Sequence, residues 1–198
     1  MTPRTISLED GGELLLFEGW LSPAEAARCL SELTIEIPWE QKEIVIMGRR
    51  ILQPRLVAWI GDREAVYTYS GVTNVPVAMT PRLADLRGRV DEAAGVPFNS
   101  VLANLYRDEK DSMGMHADNE KELGTDPVIA SLSLGAARRF QLRHAKRKSV
   151  AGRDLELGEG TLLIMRGTTQ RFWRHGVPKE KGARGARINL TFRSIRAA

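Results

Sequence analysis

Three histidines, His116, His144 and His175, occur in the sequence, and two of them have the spacing of metal ligands. His116 begins the tripeptide HAD, so Asp118 follows two residues later. A lone H-x-D is a weak motif. Two ligands in one short segment and a distant histidine, however, are the layout of a 2-His-1-carboxylate facial triad for Fe(II). His175, at the end of QRFWRH, supplies that distant histidine. We therefore expect His116, Asp118 and His175 to bind the metal.

His144 is the competing candidate, and it lies in the basic segment RHAKRK. The neighbouring cations would repel a divalent metal ion. We assign His144 to the surface or to a contact with nucleic acid.

A polar strand follows His175 near the end of the sequence. In RINLTFR the polar residues alternate with Ile188, Leu190 and Phe192, so a strand would place them on one face. They are Arg187, Asn189, Thr191 and Arg193. The segment VLANLY places Asn104 and Tyr106 on one face in the same way.

Alternation alone does not decide whether the polar face of RINLTFR meets water or a ligand. Two arginines on one face are costly to bury unless an anion pairs with them. An iron site of this type needs an electron-donating, negatively charged cosubstrate. A dicarboxylate such as 2-oxoglutarate offers one carboxylate to each arginine. The metal motif therefore favours the ligand-binding interpretation of the strand.

Composition limits the class of protein. The chain has 198 residues, of which 42% are hydrophobic and 27% charged, as is ordinary for a globular protein. We expect no membrane segment, because no apolar run is long enough to span a bilayer. The first residues lack the apolar core of a signal peptide, so we expect a cytoplasmic protein. The single cysteine, Cys29, excludes an internal disulfide and a cysteine-based zinc site.

The formal net charge is +4, and the excess is concentrated in two segments, residues 143–153 and 179–187. Such segments are either solvated loops or phosphate-binding surfaces. Charge alone does not choose between them.

The arrangement of predicted elements changes near residue 98. Before it, we expect a strand at 13–17, a helix from Ser22 to about Leu33, β-hairpins over 35–70 and a second helix between Thr80 and Gly95. After it come short strands with no intervening helix, which indicate a β-sandwich, jelly roll or barrel. They are VLANLY, PVIASLSL, RRFQLR, DLELG, TLLIM, QRFWRH and ARINLTFR. No linker separates the two parts, so we expect one domain over residues 1–198, with its catalytic core at about 98–198.

These motifs, in this order, resemble the AlkB family of Fe(II)/2-oxoglutarate dioxygenases, which dealkylate nucleic-acid bases. The matching elements are N-x-Y, H-x-D, PVIASLSLGAARRFQLRH, the distal His175 and R-x-N-x-T-x-R. The similarity extends upstream through MGRRILQPR, AWIGD and YTYSGVT, and so covers most of the chain after about residue 40. It is strongest to the animal and bacterial branch that repairs DNA.

The resemblance implies an α+β, mainly β fold. Its core is a double-stranded β-helix, or jelly roll, flanked by N-terminal helices and by a β-hairpin lid that recognises the nucleotide. The triad would bind Fe(II), and dioxygen would react there. Arg187 and Tyr106 would hold the distal carboxylate of 2-oxoglutarate. Asn189 and Arg193 would serve its iron-chelating end, with Asn104 and Thr191 beside them.

The resemblance also implies where substrate binds. The expected contacts are Met47, Gly48, Arg49, Arg55, Tyr67, Tyr69, Asn119 and Glu120. Tyr67 and Tyr69 would stack on a base held outside the helix; the alternative is a core aromatic pair. Met47 stands where relatives that act on duplex carry an aromatic wedge. Asn119 replaces an acidic residue of some relatives.

The implied activity is oxidative demethylation of 1-methyladenine or 3-methylcytosine in DNA, a direct-reversal repair that releases formaldehyde, succinate and carbon dioxide. An enzyme that prefers RNA or single strands is the main alternative. A hydroxylase of a protein or small molecule, or a non-catalytic nucleic-acid binder, are the others. We expect a monomer without a membrane partner, associated with the nucleoid in a bacterium and nuclear in a eukaryote.

Overall fold

A computed structural model describes residues 1–46, 48–69, 72–181 and 185–196. The first half of the chain contains β1 (Arg4–Ser7), β2 (Gly12–Phe17), α1 (Pro23–Glu36), β3 (Glu43–Ile46), β4 (Arg49–Leu52), β5 (Leu56–Gly61), β6 (Tyr67–Tyr69), β7 (Val72–Asn74) and α2 (Pro81–Ala94). The second half contains β8 (Ser100–Tyr106), β9 (Met113–His116), β10 (Ile129–Gly135), β11 (Arg138–His144), β12 (Arg153–Leu157), β13 (Thr161–Gly167), α3 (Thr169–Phe172), β14 (Trp173–Val177) and β15 (Arg187–Arg193).

Two antiparallel sheets form the core. The larger has seven strands in the order β1-β2-β13-β10-β15-β8-β5, and the smaller has four in the order β12-β11-β14-β9. Leu163 and Met165 of the larger sheet share a buried cluster with Phe140, Leu142 and Trp173 of the smaller, so the sheets pack face to face. This is the expected jelly roll.

Alternation along β15 assigns its two faces. Ile188, Leu190 and Phe192 are fully buried in a second cluster that contains side chains from both long helices. The polar residues of β15 therefore point the other way, into the space between the sheets. The helices thus cover the outer face of the larger sheet, and the jelly roll encloses the polar face of β15.

The capping residues position the two helices as the sequence predicts. Ser22 Oγ accepts a hydrogen bond from the Glu25 amide at 3.3 Å, and Thr80 Oγ1 accepts one from the Leu83 amide at 3.3 Å. Gly95 ends α2 with φ +70°. The first helix continues three residues beyond the expected end at Leu33, to Glu36.

Two segments differ from the prediction. The piece RRILQPRLVAWI is interrupted at Pro54, which cannot donate to a strand ladder. β4 pairs with β3, whereas β5 joins the larger sheet beside β8. In QRFWRH only the part from Trp173 is a strand, because residues 169–172 form the helical turn α3.

No helix in the described ranges is long and apolar enough to cross a membrane.

Gly160 allows a test of the packing between the first helix segment and the core. Its φ is +70°, and an added Cβ would lie 2.5 Å from the carbonyl oxygen of Leu21. We expect Gly160→Ala to lower the free energy of unfolding by about 2 kcal/mol, because strain and backbone contact add. Urea denaturation measures the loss. Gly158→Ala is the matched control, since no atom lies within 4 Å of its added Cβ; equal losses in both variants would contradict this account.

Candidate active site

Strand pairing brings the three expected metal ligands together. β9 and β14 pair with His116 opposite His175, and the two imidazole centroids are 4.4 Å apart. Asp118 follows β9 and places Oδ2 3.5 Å from His175 Nε2. One ligand atom from each residue lies within 4.8 Å of the others. The arrangement can hold one metal ion.

Unpaired buried atoms show that these residues fit a metal. Asp118 Oδ2 and His175 Nδ1 are buried and have no hydrogen-bond partner among the described residues. The other carboxylate oxygen, Oδ1, accepts a hydrogen bond from Arg193. A buried carboxylate oxygen without a partner is costly, and a cation would satisfy it. Two imidazoles and one carboxylate are the donor set of a facial Fe(II) site.

Electrostatics hold the ligands in the protonation states that bind metal. Burial, with a smaller contribution from His175, lowers the pKa of His116 to about 4, so its imidazole is neutral near pH 7. Burial raises the pKa of Asp118, but Arg193 and His175 lower it more, and the net pKa is well below the ordinary value. The carboxylate is therefore ionised. Neither ligand requires deprotonation before metal binds.

The polar face of β15 forms one wall of an inner cavity. Arg187 is 1% exposed, and its Nη2 donates to Ser133 Oγ at 2.9 Å. Its Nε and Nη1 have no partner in the part of the chain that the structure describes. Burial lowers the pKa of Arg187, and the Tyr106 ring lies 5.2 Å from the guanidinium. An incoming carboxylate would pair with the two remaining donors.

Arg193 lies at the metal end of the same face. Between the arginines, Asn189 Nδ2 donates to Ser131 Oγ at 2.7 Å, and Thr191 Oγ1 donates to Asn189 Oδ1 at 3.1 Å. The inner cavity is lined by these groups and by the metal ligands: Tyr106, His116, Asp118, Ser131, His175, Arg187, Asn189, Thr191 and Arg193. The residues present fit a dicarboxylate such as 2-oxoglutarate.

Asn104 has a different partner from the one expected. It is 1% exposed, and its Oδ1 accepts a hydrogen bond from Arg55 Nε at 2.7 Å. Arg55 also donates from Nη1 to the Ser112 carbonyl at 3.2 Å. Asn104 therefore orients Arg55.

An outer cavity lies on the other side of the metal ligands. It shares His116, Asp118 and Arg193 with the inner one. Its other lining residues are Lys42, Gln53, Arg55, Val57, Trp59, Leu102, Met113 and Glu120. The expected substrate contacts Arg55 and Glu120 are thus brought to the metal. A substrate in this cavity would approach the metal from the side opposite the cosubstrate.

The remaining expected substrate contacts are distributed differently. Gly48 and Arg49 are exposed beside the β3–β4 hairpin. Asn119 lines a third cavity with Gln170 and Arg171, because Asp118 faces the metal and its neighbour projects elsewhere. Met47 lies outside the described residues. β6 contains Tyr67 and Tyr69, but their side chains are also outside what the structure describes.

The surface assignment of His144 is wrong. Its side chain is 2% exposed, and Nε2 lies 2.8 Å from Asp10 Oδ2. Nδ1 accepts a hydrogen bond from the Arg147 amide at 2.8 Å, and the ring packs edge-on against Trp173. Asp10 also pairs with the Arg147 guanidinium at 2.5 Å. A carboxylate remote in sequence thus offsets the basic surroundings and fixes the imidazole.

Sequence reasoning did not identify several residues that position the site. Ser131 and Ser133 alternate with Ala130, Leu132 and Leu134 in β10, a pattern that could have identified them. Gln170 carries no such signal, yet its Oε1 accepts a hydrogen bond from the Asp118 amide at 2.9 Å.

Comparison with known proteins gives consistent relationships. The family model of the 2OG-Fe(II) oxygenase superfamily matches residues 13–193. Alpha-ketoglutarate-dependent dioxygenase alkB homolog 3 of Homo sapiens is 42% identical over 200 residues, which cover 96% of this chain and 69% of that protein. DNA oxidative demethylase ALKBH2 of Mus musculus is 38% identical over 181 residues, which cover 87% and 76% respectively.

A solved structure supports the fold. The structure of OsALKBH1 aligns with a TM-score of 0.61 at 18% identity, covering 96% of this chain and all of that one.

Substitution of a ligand tests the metal site. We expect His175→Ala to weaken Fe(II) binding more than about 100-fold, since loss of a direct ligand should exceed the 10–100-fold effect of its supporting partners. Anaerobic titration with Fe(II) measures the affinity. His144→Ala is the control: it removes a buried histidine that lies outside the triad, and its Fe(II) affinity should match that of the wild type. Unchanged affinity in His175→Ala would refute the assignment.

A second substitution tests the inner anchor. We expect Arg187→Lys to raise the 2-oxoglutarate concentration needed for half-maximal turnover at least about tenfold, because an ammonium cannot replace a bidentate guanidinium. The iron affinity should not change. Arg139→Met is the control, as Arg139 is exposed on the same sheet edge as Arg138. An equal 2-oxoglutarate requirement in Arg187→Lys and wild type would exclude Arg187 as the anchor.

Proposed function

The chain belongs to the 2OG-Fe(II) oxygenase superfamily and, within it, to the AlkB family, and on that premise we propose that it oxidatively removes methyl groups from base nitrogens in DNA. The observation that carries the proposal is the placement of His116, Asp118 and His175 between two cavities. One fits a dicarboxylate and the other is open to a substrate. Relatives named as DNA oxidative demethylases support the choice of polymer.

His116, Asp118 and His175 would hold Fe(II) in this proposal. When bound, iron and 2-oxoglutarate supply an oxidation in which one oxygen atom of dioxygen enters succinate and the other enters the methyl group, with loss of carbon dioxide. The resulting hydroxymethyl group leaves the base nitrogen as formaldehyde. The protein contributes ligands, an anion anchor and the position of the base.

The inner residues would fix the orientation of the cosubstrate. Arg187 and Tyr106 would hold its distal carboxylate, and Arg193 would stand beside the end nearest the metal. Asn189 and Thr191 would complete the wall between them. Asn104 would act indirectly, through its hydrogen bond to Arg55.

The outer residues would receive the methylated base. Val57, Trp59 and Leu102 give the cavity an apolar wall that excludes water from the reacting carbon. The indole of Trp59 is held by a hydrogen bond from Nε1 to the Ala65 carbonyl at 3.0 Å. Tyr67 and Tyr69 would stack on the flipped base, as the family resemblance implies.

Basic side chains would contact the phosphate backbone. Arg49, Arg50, Lys146 and Lys148 are exposed, and such contacts make binding dependent on salt and largely independent of sequence. Met47 is apolar but not aromatic, which weakens the case for a duplex wedge and favours a second candidate, demethylation of single strands, including RNA.

We also propose that residues 1–198 act as one catalytic domain and as a monomer, in the cytoplasm or nucleus where DNA is found. Both long helices and the larger sheet contribute to one hydrophobic cluster, which supports a single folding unit.

The proposed reaction has a direct test. Protein supplied with Fe(II), 2-oxoglutarate and air should remove one methylene mass from oligonucleotides that carry 1-methyladenine or 3-methylcytosine, with formaldehyde and succinate formed in equal amounts. Mass spectrometry detects the loss. Asp118→Ala should abolish it, whereas Asp154→Ala, a carboxylate paired with Arg143 outside the site, should not. Full activity of Asp118→Ala, or no methyl loss by the wild type, would contradict the proposal.

A further inference from the structure

Two buried acceptor oxygens face the outer cavity without a donor. Gln53 is 7% exposed, and its Oε1 has no hydrogen-bond partner in the described ranges. Glu120 Oε2 is likewise buried and unpaired there. Both residues line the cavity that contains His116 and Asp118. Because buried acceptors are normally satisfied, their shared position points to a ligand that donates.

The backbone of Gln53 is held on both sides. Its amide donates to the Lys42 carbonyl at 2.8 Å, and its carbonyl accepts from the Arg55 amide at 2.9 Å and from Gln41 Nε2 at 3.0 Å. The proline that follows restricts Gln53 further to extended conformations. The side-chain amide therefore projects into the cavity from a fixed point of the chain.

The surrounding groups do not supply the missing donor. The Arg55 guanidinium is directed to the Asn104 side chain and the Ser112 carbonyl. Lys42 is a third exposed, with Nζ 4.0 Å from Glu40 Oε2. Much of the remaining wall is apolar, with Val57, Trp59 and Leu102 among its members. A base that entered this cavity would meet unpaired acceptors beside the metal.

We propose that Gln53 is a specificity-determining residue, whose side-chain oxygen accepts a hydrogen bond from the exocyclic amino group of the methylated base, with Glu120 as the second acceptor. The inference rests on the proposed function and narrows its substrate class to bases that carry an amino group, as adenine and cytosine do.

A base with a carbonyl at the same position would be rejected. Its oxygen would face the oxygens of Gln53 and Glu120, leaving all of them buried without donors. Sites built to pair a specific polar group discriminate strongly for this reason. Methylation of the ring nitrogen next to the amino group also leaves the base cationic, which the Glu120 carboxylate favours.

The test compares two oligonucleotides that differ at one group. One carries 3-methylcytosine and the other 3-methylthymine, which has a carbonyl where cytosine has its amino group. The wild type should favour 3-methylcytosine in kcat/KM. Gln53→Met, which keeps the side-chain length but removes the acceptor, should lower that preference about tenfold, the effect of one lost hydrogen bond. Gln53→Glu, which retains an acceptor oxygen, should restore it.

Two further measurements separate recognition from general damage. Gln141→Met is the matched control, because the Gln141 amide pairs with Asp154 on another strand; it should keep the wild-type preference. Fluorescence anisotropy without oxygen should show about tenfold weaker binding of the 3-methylcytosine oligonucleotide to Gln53→Met. Binding of the 3-methylthymine oligonucleotide should not weaken.

The outcomes distinguish this inference from the proposed function. If the wild type demethylates neither oligonucleotide, nor one with 1-methyladenine, the proposed function fails and the inference fails with it. If the wild type is active but treats both bases equally, the inference alone is overturned. The same holds if Gln53→Met loses activity on both bases by the same factor.

Discussion

Burial of the polar face of β15 is the constraint on which the rest of the structure depends. Arg187 is 1% and Arg193 4% exposed, and charges taken out of water must be paired or strongly hydrogen-bonded. Asp118 answers this requirement for Arg193. Arg187 has only a serine hydroxyl and a tyrosine ring beside it. The fold therefore encloses a cation whose partner is the cosubstrate, and occupancy of the inner cavity completes the core electrostatically.

Asp118 meets two requirements with one carboxylate. Oδ1 accepts from Arg193, while Oδ2 remains directed at the two histidines. Its amide is held by Gln170 from the turn between β13 and β14. The strand that carries the cosubstrate anchors is thereby joined to the metal ligands through a single side chain. Displacement of β15 would move the metal site with it.

The sequence predicted those parts of the site that depend on local pattern. Period-two alternation identified both faces of β15 and of β8, and the capping residues located both helices. His144 shows where local reasoning fails, because its partner Asp10 is 134 residues away in the sequence. Gln53 and Gln170 were missed for the same reason: a buried amide acquires its role from cavities and amides contributed by distant strands. The side of the chain on which Asn119 falls likewise depends on the turn after β9.

The two cavities differ in the sign of what they lack. The inner one contains arginine donors without an acceptor, and the outer one contains acceptors without a donor. An anion is thus accommodated on one side of the metal ligands and a donor-bearing, cationic group on the other. Asp118 and Arg193 belong to both walls, so their ion pair is the partition between opposite electrostatic environments. A pocket that interchanged the two ligands would leave both sets of buried groups unpaired, and this makes each cavity selective for its own occupant.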